Sequence, residues 1–290
     1  MTSILKGADV VNSLKDKMIS QVGELKSAGI IPRLAIVRVG AREDDLAYQR
    51  MAVKRCESVG VETVIHDLPE TITQDEFKIR IEEINGSDEI HGILVFRPLP
   101  RHLNEDEIKT IIDPEKDVDC MTHVNISKLF TGDTSGFYPC TPEAVMEFLQ
   151  YHQIDIEGKN VVIINRSMVV GKPLSMLMLK KNATVTICHS RTTDLPSVCR
   201  RADILVVAIG KAKFMDSRYV SSGSIVIDVG MNTDKSGNLC GDVDFEKVSE
   251  IVSMISPVPG GIGTVTNSIL AAHVIKAAQK SAGSVPLNEK

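Results

Sequence analysis

Tryptophan is absent from the chain, and aromatic residues make up only 4% of it. That leaves no aromatic platform on which nucleic-acid bases would stack. There is no C-x-x-C pair, and the six cysteines (56, 120, 140, 188, 199 and 240) stand apart, with no His/Cys cluster at metal-ligand spacing. Neither a disulfide framework nor a metal site is expected, and reduced thiols in a cytoplasmic protein are. One of the longest apolar runs, "ILVVAIG" (204–210), stops far short of the roughly 20 residues a membrane helix needs. The first residues carry Asp9 and Asp16 and lack the continuous apolar segment of a signal peptide. Net charge is −5, with acids and bases interspersed, so no basic stripe points to nucleic acid and no charged tail to a membrane surface.

What is present is the composition of a folded protein: 290 residues, 43% hydrophobic and 24% charged, enough for two domains of ordinary size. Helix and strand periods alternate. Residues 8–28 read as a helix ended by Gly29 and Pro32, 33–40 as a buried strand, 44–59 as helix, 61–68 as strand and 73–85 as helix. "IHGILVFRPLP" (90–100) reads as a strand stopped by prolines. Such an alternation implies a parallel α/β sheet covered on both faces. Thr141 as N-cap and Pro142 at the first helical position open a helix over 141–153. The alternation then restarts with strands at 159–165, 183–189, 203–210 and 224–230, helices at 171–181 and 193–200, and a last helix over 266–281. The tail 281–290 is read as frayed. The expected division is 1–142 plus 266–290 for one domain and 143–265 for the other.

The stretch 159–191 has the order of a nucleotide-binding β-α-β unit, although the usual G-x-G-x-x-G is missing. A strand runs into "NRSMVVGKP", and Gly171 opens a helix whose N-terminus suits a pyrophosphate. About 20 positions on, an acid would hold a free ribose hydroxyl. The sequence there is His189-Ser190-Arg191. With Arg166 in the preceding loop, two guanidiniums and a hydroxyl suit a 2′-phosphate, although a solvated basic turn has the same letters. "PVPGGIGTVT" (257–266) holds two adjacent glycines that allow close backbone approach to a flat ligand, or simply a turn.

Taken together, the Tyr48 helix, "GILVFRPLP" (92–100), "PEKDVDC" (114–120), "PCTP" (139–142), "NRSMVVGKP" (165–173), "ATVTICHSRT" (183–192), "IDVGMN" (227–232) and "PVPGGIG" (257–263) resemble, in order, the methylenetetrahydrofolate dehydrogenase/cyclohydrolases. The resemblance implies a two-domain α/β protein, usually a homodimer, with a folate substrate in a cleft between a catalytic domain and a Rossmann-like domain. It implies a nicotinamide cofactor, most often NADP, with NAD left open because an arginine loop also serves NAD through a bound anion. Two reactions are implied at one site: hydride transfer from 5,10-methylenetetrahydrofolate, then hydration of the methenyl product to 10-formyltetrahydrofolate. Carried over by position, the catalytic residues are Tyr48 and Asp119. Substrate contacts fall to Tyr48, Phe96, Pro98, Asp119, Pro259, Gly260 and Gly261. Cofactor contacts fall to Asn165, Arg166, Ser167, Gly171, Ser190, Arg191, Gly210, Met231 and Thr266.

Several positions depart from the family pattern. Its lysine, four residues after the tyrosine, is Ala52, and the glutamine that orients that lysine is Phe96. An apolar position is Arg97, a glycine is Cys120, the first loop glycine is Asn165, which still tolerates left-handed backbone, and a proline is Thr264. Lys54 lies about 200° around the helix from position 52, so it reads as a surface charge rather than a substitute. Loss of a base together with its orienting partner, beside an intact hydride-transfer apparatus, points to a dehydrogenase with little or no cyclohydrolase activity. The rival readings are a bifunctional enzyme using another base and a non-catalytic folate- or nucleotide-binding paralogue. Asp119 as a helix cap or ion-pair partner, and Tyr48 as a core residue, are the plain structural alternatives.

Overall fold

A computed structural model describes residues 2–284. The chain opens with β1 (Ser3–Ile4) and α1 (Gly7–Ser27). The first alternation follows as β2 (Arg33–Val39), α2 (Glu43–Val59), β3 (Glu62–Leu68), α3 (Gln74–Asn85) and β4 (Gly92–Val95). Helices α4 (Glu105–Ile111), α5 (His123–Thr131) and α6 (Cys140–Tyr151) lead to β5 (Asn160–Ile164), α7 (Gly171–Lys180), β6 (Thr184–Cys188), α8 (Leu195–Cys199), β7 (Ile204–Val207) and β8 (Ile225–Asp228). A short hairpin, β9 (Asn232–Thr233) with β10 (Leu239–Cys240), then α9 (Phe245–Ser249) and β11 (Met254–Ile255), precede α10 (Ile262–Ser284).

These elements divide into two compact units, residues 2–12 with 141–266 and residues 13–140 with 267–284. Residues 2–12 depart from the expected division. Ser3 and Ile4 pair in parallel with Met254 and Ile255, so backbone hydrogen bonding draws the N-terminus into the sheet of the nucleotide-type unit.

In the unit built around 13–140, three parallel strands lie in the order β3-β2-β4. Alternate residues Ala35, Val37 and Val39 of β2 and Ile93 and Val95 of β4 face Phe77, Ile81 and Ile84 of α3 and Ile108 of α4 in one apolar core. Thr73 and Glu76 form a reciprocal capping box at the start of α3, and Gly60, with φ of 84°, ends α2 in the left-handed conformation. Strand β4 is shorter than the expected 90–100 and stops at Val95, before Pro98 and Pro100 can interrupt its ladder.

The other unit carries six parallel strands in the order β1-β11-β8-β7-β5-β6. Val162 and Ile164, Leu205 and Val207, Val226 and Ile255 line one face of that sheet with Tyr219, Val243 and Val248. Its β5-α7-β6 segment is a parallel crossover of the type expected over 159–189. Two helix starts differ from expectation. Thr141 lies inside α6 rather than capping it, because the first residue, Cys140, donates its N–H to the Asp119 carboxylate at 3.1 Å. Helix α10 starts at Ile262, inside the glycine-rich segment, and extends through Ser284. Residues 281–284 of the tail expected to fray are therefore helical, and 285–290 lie outside the described residues. No helix among the described residues is long and apolar enough to cross a membrane.

Candidate active site

Helix α2 presents one buried stripe, Ala52, Cys56 and Val59, and Tyr48 sits one turn before it on the same side. Ala52 is fully buried, while Lys54 points to solvent. The Tyr48 ring meets the buried Phe96 ring at 5.5 Å between centroids, tilted by 56°. Tyr48 is half-buried, and burial together with the nearby Cys140 thiol and Asp119 carboxylate holds its phenol well above the usual tyrosine range. The phenol is therefore a neutral O–H group throughout the physiological range.

Asp119 is bonded on both oxygens. Oδ2 accepts from the Arg97 guanidinium at 3.1 Å, and Oδ1 accepts the Cys140 N–H at 3.1 Å. It is both helix cap and ion-pair partner, yet its side chain stays 24% exposed, and a carboxylate has about four lone-pair sites. Arg97 also lies 3.8 Å from Glu105, and its carbonyl accepts from Arg42 at 3.4 Å. The next residue, Pro98, is exposed in the turn after β4. Cys120, where the family pattern has glycine, takes a left-handed backbone with φ of 55°. A side chain there costs about 1 kcal/mol, which explains the glycine preference. Three residues before Cys120, buried Asp117 accepts from the N–H groups of Met121 and Thr122 and from Asn125, fixing the loop that carries Asp119.

The second cluster lies at the C-terminal ends of β5 to β8, where open parallel sheets bind their ligands. Asn165 does not use the left-handed backbone that asparagine tolerates. Its side chain works instead as a staple: Oδ1 accepts from Ser167 N–H at 2.7 Å and Gly171 N–H at 3.0 Å, and Nδ2 donates to the Ala208 carbonyl at 2.5 Å. A Cβ on Gly171 would overlap the Asn165 carbonyl, so this glycine serves close packing of loop against helix. Arg166 and Ser167 are exposed on that loop, and Ser190 and Arg191 are exposed in the turn after β6. Because Ile164 pairs with Cys188, the two arginine-bearing turns leave neighbouring strands at the same edge. A glycine-tight helix start with two guanidiniums beside it fits a dinucleotide bearing an extra phosphate.

Gly210, with φ of 73°, and exposed Met231 follow β7 and β8. Both loops are tied to Asp242, which sequence reasoning missed; its only signal was an acid following a glycine in "CGDVD". Pro259 and Gly260 are exposed after β11, and the Gly260 carbonyl accepts the Gly7 N–H at 2.8 Å. Gly261 is buried, and its carbonyl accepts from the Thr264 hydroxyl at 2.7 Å. Thr266 is buried, with its hydroxyl donated to the Ile262 carbonyl at 3.2 Å. Among the described residues, no group of three or more His, Cys, Asp and Glu side chains is arranged to hold a metal ion.

Residues 5–119 match the model of the tetrahydrofolate dehydrogenase/cyclohydrolase catalytic domain, and residues 139–282 match the NAD(P)-binding domain of the same family. The chain is 53% identical over 281 residues to a protein of Clostridium botulinum named bifunctional protein FolD, covering 97% of this chain and 100% of the relative. It superposes on the bifunctional enzyme FolD, a methylenetetrahydrofolate dehydrogenase/cyclohydrolase from Campylobacter jejuni, with a TM-score of 0.94 at 40% identity, covering 97% of this chain and 100% of that one. A Trypanosoma brucei dehydrogenase-cyclohydrolase complexed with NADP and an inhibitor gives a TM-score of 0.92 at 31% identity, covering 97% and 98%.

Proposed function

The chain belongs to the tetrahydrofolate dehydrogenase/cyclohydrolase family, and from that premise we propose that it oxidises 5,10-methylenetetrahydrofolate with NADP and has little or no cyclohydrolase activity. When bound, NADP supplies the nicotinamide that accepts the hydride. The residues after β5 and β6 suit the cofactor's phosphates, with Arg166 and Arg191 toward an extra phosphate. That reading is strengthened by the NADP complex of the Trypanosoma brucei enzyme. Asp119, held by Arg97 and the start of α6, keeps lone pairs for the N–H groups of a pterin. Tyr48 offers a neutral hydroxyl beside it.

Hydride loss leaves a cation stabilised by its flanking nitrogens, so the protein must chiefly hold the donor carbon in place. Hydration needs an oriented base. The observation that carries the dehydrogenase-only reading is that positions 52 and 96 hold the buried apolar residues Ala52 and Phe96, one a helical turn from Tyr48 and the other against its ring, while Lys54 is exposed to solvent. A second reading, the bifunctional enzyme, is favoured by the name of the Clostridium botulinum relative. Following NADP reduction and, separately, the decay of methenyltetrahydrofolate decides between them. Rapid enzyme-dependent decay establishes the bifunctional reading, and reduction without it the dehydrogenase. Turnover of either kind disposes of a non-catalytic role. A homodimer is the state that the family resemblance supports, and six cysteines outside any disulfide suit a cytoplasmic protein.

A further inference from the structure

Two buried carboxylates lie beneath the loops that follow β7 and β8. Asp242 is fully buried. Its Oδ2 accepts the N–H groups of Ile209 and Gly210, at 2.5 and 3.1 Å, and its Oδ1 accepts from Lys211 N–H at 2.7 Å and Asn232 Nδ2 at 2.9 Å. Asp228, at the end of β8, accepts from Gly230, Asp242 and Val243 N–H groups at 3.0, 3.1 and 2.9 Å. No cation among the described residues pairs with either acid. The clearances are tight: a Cβ on Gly230 would run into the Asp242 carboxyl, and one on Gly241 into that of Asp228.

Three consecutive backbone N–H groups converging on one carboxylate fix the path of residues 209–211, and the Asn232 bond ties the loop after β8 to the same atom pair. Those loops carry Gly210 and Met231, on the ligand-binding edge of the sheet. Burying a carboxylate without a cation is costly unless its lone pairs are filled, so this arrangement is stable only with both loops in place.

We infer that Asp242 is a positioning residue for the dinucleotide: its carboxylate holds the Gly210 and Met231 loops in the shape that receives the cofactor. The inference rests on reading this unit as the NADP site. Replacement by asparagine places an amide NH2 against one of the two donor pairs whichever way it turns, so one loop loses its acceptor and meets donor against donor. Substrate contacts at Tyr48 and Asp119 involve neither loop.

The test is calorimetric titration of NADP into the wild type and Asp242→Asn, with steady-state KM for both substrates and a thermal melt of each. The expected result is a folded variant whose Kd and KM for NADP rise at least tenfold, while KM for methylenetetrahydrofolate stays within twofold. A folded variant that binds NADP within twofold of wild type overturns the inference, as does an equal rise in both KM values. If the variant shows no cooperative melt, Asn232→Ala decides, since it removes one of the four donors and leaves the acid. A threefold or greater rise in Kd for NADP supports the positioning role, and an unchanged Kd overturns it. A wild type that binds neither NADP nor NAD defeats the reading of the site itself, and the inference with it.

Discussion

The Arg97 guanidinium lies 3.1 Å from Asp119 Oδ2, joining a residue that replaces an apolar side chain to the carboxylate expected to grip the pterin. The arginine fixes the carboxylate's direction while leaving it partly open. Both side chains retain contact with water, at 18% and 24% exposure, so the pair adds at most about 1 kcal/mol to stability. The expected consequence of Arg97→Leu is kinetic: Asp119 keeps only the Cys140 N–H, and KM for the folate rises by up to about tenfold, the equivalent of some 1.4 kcal/mol. KM for NADP and the melting temperature should barely move, and Arg97→Lys should recover part of the loss. A folate KM unchanged in Arg97→Leu would show that the pair does not orient Asp119.

The apolar residues at positions 52 and 96 predict a gain of activity. Ala52→Lys alone puts an ammonium at a fully buried position, and it should destabilise the protein by a few kcal/mol. Adding Phe96→Gln supplies an acceptor, at the cost of the Tyr48–Phe96 ring contact, worth about 1 kcal/mol. The double variant should accelerate methenyltetrahydrofolate decay at least tenfold over wild type, whereas neither single variant should. Wild type that already matches the double variant would mean that another group activates water.

Much of this was legible in the sequence because the signals were local. Strands β2 and β5 were readable as apolar runs between turn residues, and α3 carried its own capping box. That position 52 is where a lysine would stand was legible only through the family resemblance; helical spacing added that Lys54 lies on a different face of α2. Long-range pairings were not legible: nothing near Ser3 announces a partner at Met254, 251 positions away. Asn165 matched a glycine position, which suggested backbone conformation, when its amide in fact bridges Ser167, Gly171 and Ala208. Asp119 was singled out, but its helix-capping of α6 depends on a contact 21 residues away.

The cysteines carry a chemical prediction. All six are buried and none forms a disulfide, and burial pushes the Cys56 and Cys199 thiols up to about 12. A thiol with so high a pKa is almost wholly protonated at neutral pH and is a poor nucleophile. Native protein treated with iodoacetamide at pH 7.5 should gain no adduct at Cys56 or Cys199 by mass spectrometry, whereas denatured protein should react at all six sites. Rapid labelling of Cys56 in the native state would contradict its burial behind Tyr48 and Ala52.

Asp228 predicts a pH dependence of stability. Burial, with Asp242 close by, raises its carboxyl to about 7 against an ordinary value of 3.8, although three N–H donors pull the other way. An acid whose folded pKa lies above its unfolded one binds its proton more tightly when folded. Its contribution to stability is therefore greatest below about pH 4, declines as pH rises, and levels off above about 7. The limiting slope is about 1.4 kcal/mol per pH unit. Asp228→Asn carries an uncharged carboxamide shaped like the protonated acid, so it lacks this dependence. Thermal melts at pH 5 and pH 8 should show wild type losing stability relative to the variant by one to a few kcal/mol across that window. Parallel melting curves for the two proteins would mean that Asp228 is ionised throughout, its charge held by the Gly230, Asp242 and Val243 N–H groups alone.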